Sequence, residues 1–201
     1  MAVIEGFVIG FSMIIFIGPV FFLLLNSSLE YGIKAGVLVA LGIIFSDIIC
    51  VLLCVYGLSS FIVATENQFL IGILSGVLLM VLGFFYLFKE VKLSVKVKLS
   101  SSTLSTFFIK GFSVNFFNPF VFVVWVGVFN YGKTKYVTVN SLIIFLTSVL
   151  IGILVTDLLK VILSKKLKKI ITKKRLNFLF KGTGVILILF SLRMIWYVYT
   201  M

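Results

Sequence analysis

The sequence predicts an all-α integral membrane protein of six transmembrane helices, arranged as two inverted three-helix repeats whose first helices are broken. Three observations predict it. The chain of 201 residues is 62% hydrophobic and only 12% charged, with a mean hydropathy of +1.29, whereas a soluble domain is nearer half apolar and a quarter charged. The apolar excess falls in blocks of about 20 residues, the length of helix that crosses a bilayer. Finally, the two prolines and the two aspartates of the chain occupy matching places in its two halves.

The first apolar run covers about Gly6 to Leu29 and is interrupted at Gly18-Pro19. It is too long for the apolar core of a cleaved leader and no basic segment precedes it, so it is expected to be a retained span. The second run covers about Ala35 to Phe61 and carries Asp47; the third covers about Phe69 to Phe88. A basic, Ser-rich segment follows, Lys89 to Thr106. The fourth run, about Phe107 to Phe129, is interrupted at Asn118-Pro119, and the fifth runs from about Val139 to Leu163. A second basic segment holds Lys165 to Arg175, and the sixth run covers about Phe178 to Tyr199. Its end, Trp196, Tyr197 and Tyr199, has the composition of an aromatic interface anchor. The whole chain is expected to be one membrane domain, with the first repeat in about residues 1–90, a basic linker in about 89–106 and the second repeat in about 107–201.

The net charge of +12 does not indicate nucleic acid, because the basic residues cluster in the short segments between apolar runs, where they set topology. With six complete spans, Lys133, Lys135 and Arg193 belong to one side and the remaining Lys and Arg residues to the other. The crowded side is expected in the cytoplasm, and both termini outside. This assignment requires both broken segments to cross fully.

The halves align when Gly18-Pro19 is placed over Asn118-Pro119. Phe45-Ser46-Asp47 then meets Val155-Thr156-Asp157, Asn67-Gln68-Phe69 meets Leu176-Asn177-Phe178, and Gly76-Val77-Leu78-Leu79 meets Gly184-Val185-Ile186-Leu187. A repeat of three spans is odd-numbered, so its second copy enters the membrane from the opposite side. Inverted repeats of this kind are common among secondary transporters, whose sites lie near the midplane at interrupted helices.

Asp47 lies well inside the second run, where an ionisable group costs about 2.5–3.5 kcal/mol on insertion scales. A carboxyl that takes and loses a proton suits coupling to a proton gradient, and it could equally bind a substrate amine; the alternative is a buried carboxyl that locks two helices together. Asp157 has Lys160 on the same helix face at i+3, a spacing that permits a pair. Asn115 and Asn118 flank the second break, and the Asn118 amide can pair freed backbone groups or reach a substrate. Asn26 follows the first break. Ser46 and Thr156 precede the aspartates and read as helix-packing hydroxyls or carboxylate partners. Arg193 reads as a snorkelling residue or as a partner for a buried carboxylate or an anionic substrate group. The site expected from these residues is Gly18, Pro19, Asp47, Asn115, Asn118, Pro119 and Asp157, with Asn26, Ser46, Thr156 and Arg193 secondary.

Cys50 and Cys54 share a face with Asp47. With no histidine in the chain, they read as packing residues, and neither a metal nor any other cofactor is expected. The lack of histidine and of any facing nucleophile–base arrangement also speaks against an enzyme.

The order Gly6-Phe7, Gly18-Pro19, Gly32, Gly36, Gly42 and Ser46-Asp47 resembles the lysine exporter (LysE/RhtB) family of amino-acid efflux proteins. Lys110-Gly111-Phe112 followed by Asn115-Phe116-Phe117-Asn118-Pro119 resembles that family's GF…NxxNP signature, and Gly83-Phe84-Phe85-Tyr86-Leu87 its G-x-x-YL ending. Many members carry Pro-Gly-Pro at the first break, where this chain has Ile17-Gly18-Pro19. The resemblance covers nearly the whole chain. It implies a protein of the bacterial cytoplasmic membrane that exports amino acids or related small molecules, coupled to protons. Its partners would be the lipid bilayer, a small solute and protons, and a homodimer stays among the assemblies open to it. The alternatives are an exporter of another small solute or of a metal ion, and a non-transporting membrane partner subunit.

Overall fold

The computed structural model describes residues 1–15, 18–58, 65–88, 104–170 and 173–200, and every regular element among them is helical. Helix α1 spans Ala2–Ser12 and runs into a 3-10 turn, Met13–Ile15; α2 is Pro19–Tyr31 and α3 is Ile33–Leu53, closed by a π turn at Cys54–Leu58. Helix α4 is Thr65–Phe88, α5 Leu104–Phe116, α6 Pro119–Lys135, α7 Val139–Ile162, α8 Ser164–Ile170 and α9 Lys173–Tyr199. Residues 33–57 and 139–162 are each long and apolar enough to cross a membrane, and α5 with α6 makes a third such unit when the bent pair is taken as one span.

Both proline breaks fall where the sequence places them. Pro19 and Pro119 each occupy the first turn of a new helix, where the missing N–H would have had no partner in any case. The residue before each is extended, with φ −142° at Gly18 and φ −88° at Asn118, as the proline ring requires. The first and fourth apolar runs are therefore two helices each. The second arm of the fourth run continues past Phe129 to Lys135, because its polar end is held by contacts described below. The linker expected over 89–106 yields its last residues to α5; residues 89–103 lie outside the described residues, as do 59–61 at the end of the second run. Gly32 joins α2 to α3 at φ 86°, a left-handed conformation that favours glycine.

The chain forms two compact units, Met1–Tyr56 with Lys96–Ile170, and Gly57–Val95 with Ile171–Met201. In the first, α1 packs along α7 and α5 along α3. The apolar faces have helical spacing: α3 buries Ala35, Gly36, Val39, Ala40, Gly42, Ile43, Ser46, Asp47, Cys50 and Val51. Glycines let these backbones touch. A Cβ on Gly10 would collide with the Val149 carbonyl, and one on Gly111 with that of Val39. A Cβ on Gly152 would press on Phe7 and Phe11, and one on Gly42 on Phe108 and Phe112. The two sets correspond residue for residue: Gly10 with Gly111, Val149 with Val39, Gly152 with Gly42, Phe7 with Phe108, and Phe11 with Phe112. Close backbone approach of this kind supplies packing between helices whose surroundings are as apolar as their side chains.

In the second unit α4 packs along α9. A Cβ on Gly76 would meet Ile195 and the Ser191 carbonyl, while one on Gly184 would meet Leu87 and the Gly83 carbonyl. The Ser191 hydroxyl donates to the Gly76 carbonyl at 2.7 Å.

Candidate functional site

Three helices of the first unit meet at Asp47. Helix α3 carries Ser46 and Asp47 on its buried stripe, α5 brings Asn115 near its C-terminal end, and α6 brings Trp125 beyond the break. All four side chains are buried, with Ser46 at 0% and Asp47 at 4% exposure. One carboxylate oxygen, Asp47 Oδ1, accepts from Asn115 Nδ2 at 2.8 Å and from Trp125 Nε1 at 2.9 Å. The Asn115 amide also reaches Ser46 Oγ at 3.2 Å and the Ile43 carbonyl at 3.3 Å. No lysine or arginine pairs with Asp47 among the described residues, so the carboxylate is solvated by neutral donors alone. The indole of Trp125 is set in an apolar cluster with Cys50, Cys54, Phe129, Phe145 and Val149, which fixes its ring plane and so the direction of its N–H.

Asp157 lies on α7, within electrostatic reach of Asp47, but it is served differently. Lys160 Nζ donates to its Oδ1 at 3.0 Å, and both side chains are buried. The Thr156 hydroxyl is spent on its own helix, bonding the Ile153 carbonyl at 2.7 Å. Positions that correspond by sequence therefore carry different chemistry: Asp47 has neutral donors from other helices, and Asp157 has a cation one turn along its own.

The other expected residues fall as follows. Asn118 Oδ1 accepts from the Phe120 N–H at 3.2 Å and caps α6. Gly18 precedes α2, where its carbonyl accepts from the Phe22 N–H at 3.2 Å, and Pro19 opens that helix. Asn26 is half-buried in α2, and Arg193 is exposed on α9 in the second unit. The structure thus brings Ser46, Asp47 and Asn115 into contact, sets Asp157 nearby, and uses Asn118 in a cap.

Two features escape the sequence reading. One is Trp125; its only sequence signal is an indole two turns beyond a break, which needs an acceptor if buried. The other is a cluster at the start of α1 and the end of α6, outside the expected apolar runs. Glu5 accepts from Lys135 at 2.6 Å, from Tyr136 at 2.5 Å and from Tyr131. Lys135, then the Tyr131 and Tyr136 hydroxyls, hold the Glu5 carboxyl down at about 2, while the bonds that Lys135 makes to Glu5 and to the Tyr131 oxygen raise Lys135. An apolar groove beside α1 and α7 is lined by Val3, Ile4, Phe7, Val8, Ser148 and Ile151. Its one polar side chain, Ser148, bonds the Ile144 carbonyl.

A model of the LysE type translocator family matches residues 11–197. The chain belongs to the LysE type translocator family. Neither a curated protein nor a solved structure matches the chain. Membership makes it a membrane translocator and not an enzyme, in a family whose members export amino acids and other small molecules. The matched residues include both proline breaks, both aspartates and Trp125. Within this LysE type translocator the carboxylate–amide–indole site is thus part of a transport protein.

Proposed function

We propose that the protein is a secondary exporter of amino acids or related small solutes from the cytoplasm, coupled to protons through Asp47. The observation that carries this reading is the buried Asp47 carboxylate, which has no cationic partner among the described residues and is held by donors on either side of the second break. Its charge is balanced by neutral donors alone, so a proton or a solute ammonium group gains a strong partner there. The two occupancies exclude each other at one oxygen pair, which is what an exchange mechanism requires. Asp157, already satisfied by Lys160, sets the field of the site.

We infer further that the chain is one membrane domain of two inverted repeats with six spans. The corresponding glycine contacts of α1 with α7 and α5 with α3 support this, as do those of Gly76 and Gly184. The basic segments then face the cytoplasm and both termini the outside.

The test is transport by purified protein in liposomes with an imposed proton gradient, screened with labelled amino acids and, as a separate arm, metal ions. Proton-driven movement of an amino acid, abolished in Asp47→Asn, is the expected result. Undiminished proton-driven movement in Asp47→Asn, or movement of metal ions alone, would overturn it.

A further inference from the structure

The Asp47 site spans a broken segment. Asn115 belongs to α5, before the Asn118-Pro119 break, and Trp125 to α6, after it; the two arms are bent by 70°. Both donate to the same oxygen, Asp47 Oδ1. A single acceptor on α3 therefore holds both arms of the bent segment.

The two donors differ in what else they have. The Asn115 amide keeps the Ser46 hydroxyl and the Ile43 carbonyl within reach, so it stays partnered when Oδ1 is taken. Helix α5 is in addition seated on α3 by backbone contact at Gly42 and Gly111. Trp125 has one N–H and one acceptor, Asp47. A buried N–H that loses its acceptor costs about 1–3 kcal/mol, and a carboxylate accepts roughly twice as strongly as a neutral group. Neutralising Asp47 therefore weakens the hold on α6 while leaving α5 in place.

We propose that Trp125 is a positioning residue that couples the occupancy of Asp47 to the placement of α6 relative to α5. Protonation of Asp47, or capture of a cationic group by it, loosens the indole bond, and the arm beyond Pro119 is the part that moves. The export reading above supplies only the identity of what arrives at Asp47; the coupling itself holds whether or not the protein exports anything.

The titratable groups acting on this site are few among the described residues. Helix α7 contributes Asp157 with its partner Lys160, α3 and the turn that closes it contribute Cys50 and Cys54, and α2, α5 and α6 contribute none to Asp47. A pH response of the indole can therefore be assigned with three variants.

The chain contains two tryptophans, so Trp196→Phe leaves Trp125 as the sole tryptophan, and red-edge excitation that spares tyrosine reads it alone in purified, folded protein. Its emission maximum is expected to shift between mildly acid and mildly alkaline pH. The shift is expected to disappear in Asp47→Asn and to persist in Asp157→Asn and in Cys50→Ser. An emission maximum that does not move, or that moves as much in Asp47→Asn, overturns the proposal. Should Asp47→Asn fail to fold, ultraviolet resonance Raman of the indole N–H in the Trp196→Phe protein reads the same bond with Asp47 intact. A hydrogen-bond band constant across that range overturns the proposal, and a band that weakens on acidification upholds it. A protein whose indole follows pH but which moves no solute upholds the coupling and removes the export reading.

Discussion

Gly111 stands against the backbone of Val39 so closely that a Cβ would collide with the carbonyl oxygen. Gly42, on the opposite partner, stands in the same way against Phe108. The α3–α5 contact is thus made at two glycines facing two backbones, and it is this contact that carries Asn115 to Asp47.

Gly111→Val and Gly42→Val are therefore expected to destabilise the protein by about 1–3 kcal/mol each, the usual cost of overpacking a filled interface. The corresponding substitutions at Gly10 and Gly152 should cost similar amounts. Gly127, which has nothing within 4 Å of a built Cβ, is the control: Gly127→Ala should hold or gain about 0.5–1 kcal/mol from better helix propensity. Thermal unfolding in detergent, followed by monodispersity of the eluted protein, checks the contrast. Equal losses at Gly127 and Gly111 would contradict it.

The buried pair of Asp157 and Lys160 makes a second prediction. Removing one member of a buried ion pair leaves an uncompensated charge and costs about 3–5 kcal/mol, whereas replacing both by apolar residues is often close to neutral. Lys160→Met alone should thus lower the unfolding midpoint sharply, and Asp157→Leu combined with Lys160→Met should restore most of the loss. A double variant as unstable as the single one would show that Asp157 holds something besides Lys160.

Glu5 gives a pH dependence with a definite sign. Its carboxyl titrates at about 2 against an ordinary value of 4.5, chiefly through Lys135 and then Tyr131 and Tyr136. A depressed acid contributes stability that is full above the unfolded value and is lost as pH falls from about 4.5 towards about 2. The gap in unfolding midpoint between wild type and Glu5→Gln should be present at neutral pH and close over that interval. Salt should narrow it as well, since the cluster is partly exposed. A gap unchanged at acid pH would mean that the carboxylate charge is not what joins α1 to the end of α6.

Much of this architecture is legible in the sequence because membrane insertion makes mistakes expensive. Asp47 stood out for that reason, and so did the two prolines, each of which interrupts an apolar run. The pairing of Asp157 with Lys160 was legible as a helix spacing. Trp125 was not, since an indole adds little to a hydropathy profile and its acceptor lies 78 positions away. The Glu5 cluster was hidden by a longer separation still, with Lys135 130 positions on. The glycines were visible as small residues, but only the folded register says which carbonyl each one faces. Arg193, open in the sequence between anchor and site residue, is exposed on α9.

Asn118 separates a cap from a binding group. Its carboxamide oxygen bonds the Phe120 N–H, while Asn115, one turn earlier, holds the carboxylate. Asn118→Ala removes a helix cap and should cost about 1 kcal/mol, within a usual range of 0.5–2. Asn118→Asp keeps a side-chain oxygen at the helix start, where a negative charge is favoured, and should recover that loss. Asn115→Ala leaves Trp125 as the one remaining donor to Asp47 Oδ1 among the described residues and should alter transport far more than Asn118→Asp does. Unfolding midpoints and initial transport rates, measured together on the three variants, check this. A transport defect in Asn118→Asp at full stability would make Asn118 a contact for the transported solute, because the cap would then be intact and only the amide nitrogen lost.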